Sequence, residues 1–111
     1  SENFDGFSGK VNDCSFIILS SKGYERNRFT FAHELGHLIL NFKKDLSGRD
    51  KEKYCNYFAS CLLVSQLSIK SNLAIGRNKL IKNISLNDIF MLATTYKVSL
   101  NAVIMRLYYL E

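Results

Sequence analysis

Both histidines of this chain fall within five residues, His33-Glu34-Leu35-Gly36-His37. If this segment is a helix, positions i and i+4 stack on one face, so the two imidazoles can hold one metal ion together. Glu34 is rotated by one residue from His33 and points beside such an ion rather than at it. A carboxylate there can take a proton from a water that the metal polarises, as general base. It can then return the proton to a leaving amine as general acid. Nitrogen and oxygen ligands of this kind suit zinc, one ion per chain, with manganese or iron as alternatives. A catalytic zinc needs a third protein ligand and an open position. No histidine is left to supply it, so a carboxylate must; Asp45, Asp50 and Glu52 are the candidates.

The elements that position these groups can be read from apolar spacing. Phe31, Leu35, Leu38, Ile39 and Phe42 recur at helical intervals, which predicts a helix over 29–42 with Thr30 as N-cap. Gly36 in mid-helix costs about 1 kcal/mol relative to alanine and so points to close packing there. A charged connection over 43–50 leads to a second helix over 51–63, with Cys55, Phe58, Ala59, Leu62 and Leu63 as its apolar stripe. Glu52 lies three residues before Cys55 and hence on that stripe. A carboxylate facing a core is costly unless it is paired or bound to a cation, so Glu52 is preferred over Asp45 and Asp50 as the third ligand. Asn56 shares its face and is placed to orient a ligand. The pattern HExxH also occurs by chance on ordinary amphipathic helices. The independent helical signal, the mid-helix glycine and the core-facing glutamate together favour the metal.

The rest of the chain frames this pair of helices. Residues 1–13 read as loop with a short strand, and 15–20 as a buried strand, open also to pairing with an extended substrate. Residues 66–83 read as a helix and a loop through Gly76. Ser85 and Asp88 form a capping box for a helix over 85–96. Ser99 caps the last helix, 100–110, and Val98 can staple onto Val103. Two helices joined so tightly can signal DNA binding. The last one, however, offers only Asn101 and Arg106 among apolar residues, too few polar groups to read bases, so a core-closing role is expected. Tyr24, Tyr54, Tyr57, Tyr96 and Arg106 are the candidates for stabilising an oxyanion, and nothing in the sequence chooses among them.

Composition bounds the reading. One compact domain over 1–111 is expected from 111 residues, 47% of them hydrophobic. No apolar run is long enough to span a bilayer, and no signal peptide opens the chain. Three cysteines without CxxC spacing do not form a disulfide framework, and a cytoplasmic setting is the simplest. The net charge of +5 is spread without a dense run, so it reads as a solvated surface rather than a nucleic-acid footprint.

Residues 28–40 resemble the RFTxAHELGHxxL signature of the ImmA/IrrE metallopeptidases. Glu52 and the run from Cys55-Asn56 through Phe58-Ala59 to Leu62-Leu63 are similar to that family's second motif, and Tyr96-Lys97-Val98-Ser99 with Arg106-Leu107 to its closing motif. The resemblance spans nearly the whole chain. It implies an α+β, minimal zincin-like fold, mostly helical with a small β-sheet. It also implies His33, His37 and Glu52 as metal ligands and Glu34 as catalytic acid/base. Family members are endopeptidases that cleave or inactivate transcriptional repressors, typically of mobile elements. The expected partner is therefore a helix-turn-helix repressor, with no direct nucleic-acid or membrane contact. A binding module that neutralises a regulator without cutting it, and a toxin acting on a host protein, are the alternatives. Val64-Ser65 stands where the family usually has Met-Pro, and Cys55 where alanine is commoner. The family's N-terminal helix has no counterpart, so a trimmed catalytic core is expected.

Overall fold

The computed structural model describes residues 4–66, 69 and 84–110. Gly6–Val11 (β1) and Cys14–Leu19 (β2) form an antiparallel hairpin whose register runs from Gly6 opposite Leu19 to Val11 opposite Cys14. Asn12 and Asp13 make the connection with φ of 51° and 67°. Two positive φ values give a turn whose twist matches that of the strands, and Asn and Asp tolerate that conformation better than other non-glycine residues. The strand expected over 15–20 is therefore present as β2, but it is only half-buried, with Ile18 exposed. A hairpin covered on one face cannot bury both faces of its strands.

The first helix is Tyr24–Ile39 (α1), five residues longer at its start than the apolar spacing predicts. It begins at Gly23, whose φ of 100° suits glycine and whose carbonyl accepts the first helical bond from Asn27 N, 2.9 Å. Thr30 is not the N-cap; it is buried in mid-helix. α1 buries Thr30 and Glu34 on one side and Ala32 and Gly36 on the other, while Phe31 and Ile39 of the expected stripe are exposed. α1 lies close against both strands, and Gly36 faces Cys55 and Phe58 of the next helix, so small residues are among those it buries. Arg26 pins the start of α1 to the strand approach through a two-pronged contact with Asp5, at 2.7 and 3.0 Å.

The second helix is Gly48–Leu63 (α2). Ser47 Oγ accepts a hydrogen bond from the backbone N–H of Asp50, 3.1 Å, so Ser47 caps it and it starts three residues earlier than predicted. Cys55 and Ala59 are fully buried, but Leu62 is exposed. Leu86–Tyr96 (α3) starts with the expected capping box: Ser85 Oγ accepts from Asp88 N and the Asp88 carboxylate accepts from Ser85 N. Leu100–Leu110 (α4) is capped by Ser99, which accepts from Ala102 N at 3.1 Å.

The chain divides into two compact units, Ser1–Ala59 and Ser60–Glu111. In the second, Val64, Ile69, Leu92, Val98, Val103 and Leu107 form a buried cluster, with Val98 and Val103 together in it as the staple requires. Arg106 is 3% exposed there and its Nε donates to the Val64 carbonyl at 2.6 Å. α4 thus closes a core, as its apolar sequence indicates. The helix and loop read over 66–83 lie, apart from residues 66 and 69, outside the described residues. The whole is a small α+β fold, mostly helical with a two-stranded antiparallel sheet, consistent with a minimal zincin-like arrangement. No helix among the described residues is long and apolar enough to cross a membrane.

Candidate metal centre

The centre is built within the first unit from α1, α2 and β1. One turn of α1 sets the rings of His33 and His37 4.9 Å apart, edge toward face. α2 brings Glu52 across to them: Oε1 lies 3.0 Å from His33 Nε2, and Oε2 lies 2.6 Å from His37 Nε2. The three side chains offer ligand atoms that all lie within 4.8 Å of one another. Asp45 and Asp50 have no part in this group.

The close approach of the helices depends on Gly36. A Cβ there would meet Phe58 Cδ2 at 3.1 Å, Cys55 Sγ at 3.3 Å and Cys55 Cα at 3.5 Å. The mid-helix glycine thus marks a tight contact, as its helix-propensity cost implies. Glu52 lies one turn before Cys55 on α2, so the contact that seats Cys55 against Gly36 also sets where Glu52 stands.

Glu52 is the expected residue for a reason other than the one the apolar stripe supplies. Its side chain is 57% exposed, so it does not face a core. It is held instead by two imidazoles at the surface. Asn56, one turn on, has its Oδ1 2.8 Å from His33 Nδ1. An amide oxygen only accepts, so His33 Nδ1–H donates to it, and the lone pair of the neutral ring is left on Nε2. That lone pair then faces a carboxylate oxygen at 3.0 Å. A proton or a metal ion between these two atoms would make the contact favourable, and the His37 Nε2 beside the second Glu52 oxygen makes this a three-sided set of nitrogen and oxygen donors. The donor set therefore fits a divalent cation, with Asn56 fixing the ring that binds it.

Glu34 is buried, 9% exposed, and accepts a hydrogen bond from the hydroxyl of Ser8 on β1 at 2.8 Å. Ser8 was not legible as a site residue: a short strand is expected within 1–13, but no local signal in the sequence shows a contact made across to α1. Two hollows flank the centre. One, of about 280 Å³, is lined by Asp5, Thr30, His33 and Asn56; the other, of about 690 Å³, runs along β1 from Gly6 to Lys10 with His37 and Leu38. Glu34 and Glu52 border both. The strand beside the site is thus β1, and β2, the strand read as open to substrate, lines neither hollow.

The residues 15–108 match the family described as IrrE N-terminal-like domain, Peptidase_M78. The chain belongs to this metallopeptidase family. No curated protein and no solved structure matches the chain significantly. Membership accounts for a metal centre on α1 and α2, and it bears on the remaining candidates. Cys55 is fully buried, and burial, followed by the nearby Glu52 and Glu34 carboxylates, pushes its thiol up to about 11. A thiol so shifted is no nucleophile near neutral pH. Tyr24, Tyr54 and Tyr57 line neither hollow; Tyr24 lies under the Arg28 guanidinium, and Tyr54 packs near the Phe42 ring. Tyr96 packs against the core of the second unit, where Arg106 is also buried. Among the described residues, no side chain stands out as the oxyanion donor.

Proposed function

We propose that this chain is a zinc-dependent endopeptidase that cuts a regulatory protein, a helix-turn-helix transcriptional repressor being the substrate class that the family resemblance favours. The observation that carries the reading is the convergence of His33 Nε2, His37 Nε2 and the Glu52 carboxylate with a buried Glu34 beside them. His33, His37 and Glu52 are the residues that would hold the ion. Zinc held there supplies Lewis acidity, lowering the pKa of water and polarising the carbonyl.

The chain's own groups do the rest. The Glu34 carboxylate takes a proton from the water that attacks the scissile carbonyl carbon. As the C–N bond breaks, Glu34 passes that proton to the departing amine nitrogen. Asn56 keeps His33 in one tautomer and one orientation. β1 borders the larger hollow and has no strand on its outer edge among the described residues, so an extended peptide can pair with it and lie across the centre.

The test uses the full chain and each repressor encoded beside it. Wild-type protein loaded with zinc should cleave one of them. Glu34→Gln should bind the repressor and about one zinc ion yet leave the repressor intact, since an amide cannot accept the proton. If Glu34→Gln still inactivates the repressor, the chain neutralises its partner by holding it, and the peptidase reading fails.

A further inference from the structure

Among the described residues outside α1 and α2, Ser8 is the polar side chain that hydrogen-bonds to Glu34. It lies on β1 opposite Ile17, in the middle of a hairpin whose register is fixed by its two-residue turn. From there its hydroxyl crosses to α1 and donates to Glu34 Oε1 at 2.8 Å. No other hydrogen bond reaches the Glu34 side chain among the described residues. A glutamate has three rotatable side-chain bonds, and burial alone does not fix the last of them. A general base must present one oxygen to the water, and its alignment decides how well the proton moves.

We infer that Ser8 is a positioning residue for Glu34: its hydroxyl anchors one carboxylate oxygen and so leaves the other as the proton acceptor. This rests on the reading of Glu34 as general base. The side-chain hydrogen bond of Ser8 goes to Glu34 and to none of His33, His37 and Glu52. The sheet thereby acquires a second role. Besides bordering the cleft, it fixes the rotamer of the base across a strand-to-helix gap that the helices alone do not bridge.

The test needs no knowledge of the natural substrate. The full chain is loaded with cobalt, and acetohydroxamate and azide are titrated against its visible spectrum. A hydroxamate chelates the metal and gives its hydroxyl proton to an adjacent carboxylate, whereas azide needs the metal alone. Ser8→Val, which keeps the strand-forming shape without the hydroxyl, should weaken acetohydroxamate about tenfold, the size of one hydrogen bond to a charged group. Azide binding and cobalt content should stay the same. Ser8→Thr should restore wild-type affinity, and Ser8→Val should add nothing to Glu34→Gln. The inference is overturned if Ser8→Val binds acetohydroxamate like wild type, if it weakens azide equally, or if Ser8→Thr fails to rescue. If Glu34→Gln also leaves acetohydroxamate binding unchanged, or no cobalt binds at all, the reading of the site falls and the role of Ser8 with it.

Discussion

Replacing Gly36 by alanine sets two effects of similar size against each other, and the structure says which wins. Helix propensity alone would stabilise the fold by about 1 kcal/mol. Against this, the new methyl would sit 3.1 Å from Phe58 Cδ2 and 3.3 Å from Cys55 Sγ, closer than such atoms normally approach. Phe58 has some freedom to turn, but Cys55 is fully enclosed and its Cα is already at ordinary contact distance. Relief therefore requires α2 to move away by a few tenths of an ångström, and overpacking of this kind costs roughly 1–3 kcal/mol. The expected net is a loss of about 1 kcal/mol. The site reports the same shift more sharply, because Glu52 rides on α2 one turn from Cys55 while its partners His33 and His37 stay on α1. Gly36→Ala should thus weaken zinc by about tenfold, following the loss of geometry at one ligand. Urea unfolding in chelator gives the first quantity without the stabilisation that bound metal adds, and competition with a chromogenic chelator gives the second. A variant stabilised by about 1 kcal/mol with unchanged zinc affinity would refute the claim that this contact sets the helix spacing.

Four further outcomes follow from particular residues. Asn56→Ala removes the acceptor that orients His33 and should cost about 10- to 100-fold in zinc affinity by chelator competition, whereas Asn56→Asp keeps an acceptor oxygen and most of the affinity. Exposed Cys14 should react with a thiol reagent near pH 8 while Cys55, with its thiol pushed up to about 11, reacts only after unfolding; equal rates would contradict its burial. The same shift has a sign in stability. The unfolded thiol titrates near 9.0 and the folded one near 11, so the folded state keeps a proton that the unfolded chain has lost. Its contribution is full below about pH 9 and is lost as pH rises toward 11, a decline that urea midpoints should show for wild type and not for Cys55→Ala. Ser85→Ala deletes one half of a capping box and should destabilise the fold by about 1 kcal/mol in urea, with zinc binding unaltered.

Helix identities were legible because caps and apolar spacing are local. Ser85-Asp88 and Ser99 appear in the structure with the bonds their side chains dictate. Boundaries failed where the signal was of another kind. α1 starts on Gly23, which carries no side-chain cap, and its first turns are polar, so hydrophobic periodicity could not reach them. α2 starts on Ser47, which with Asp50 three residues on is a capping signal hidden in a charged stretch. The stripe on α1 failed for a tertiary reason. What lies against this helix is a backbone-rich hairpin and a close second helix, so the positions it buries are small or functional ones, Thr30, Ala32, Glu34 and Gly36, and the large apolar residues point elsewhere.

Glu52 shows how a choice can rest on a premise that the structure does not bear out. Helical spacing places it beside Cys55, and the cost of a buried carboxylate then argues for a cation. Yet Cys55 is fully enclosed, in close contact with Gly36, while Glu52, one turn earlier on α2, is 57% exposed. What brings Glu52 to the histidines is reach: its two carboxylate oxygens lie 3.0 Å from His33 Nε2 and 2.6 Å from His37 Nε2. Asp50, two residues before it, is turned about 200° away on an ideal helix, and Asp45 precedes α2 altogether. Hollows lie on both sides of the centre, one toward Asp5 and one along β1. On the peptidase reading, the exposure of Glu52 keeps the centre open to a peptide. A carboxylate buried as the stripe argument supposed would have closed the centre to the peptide.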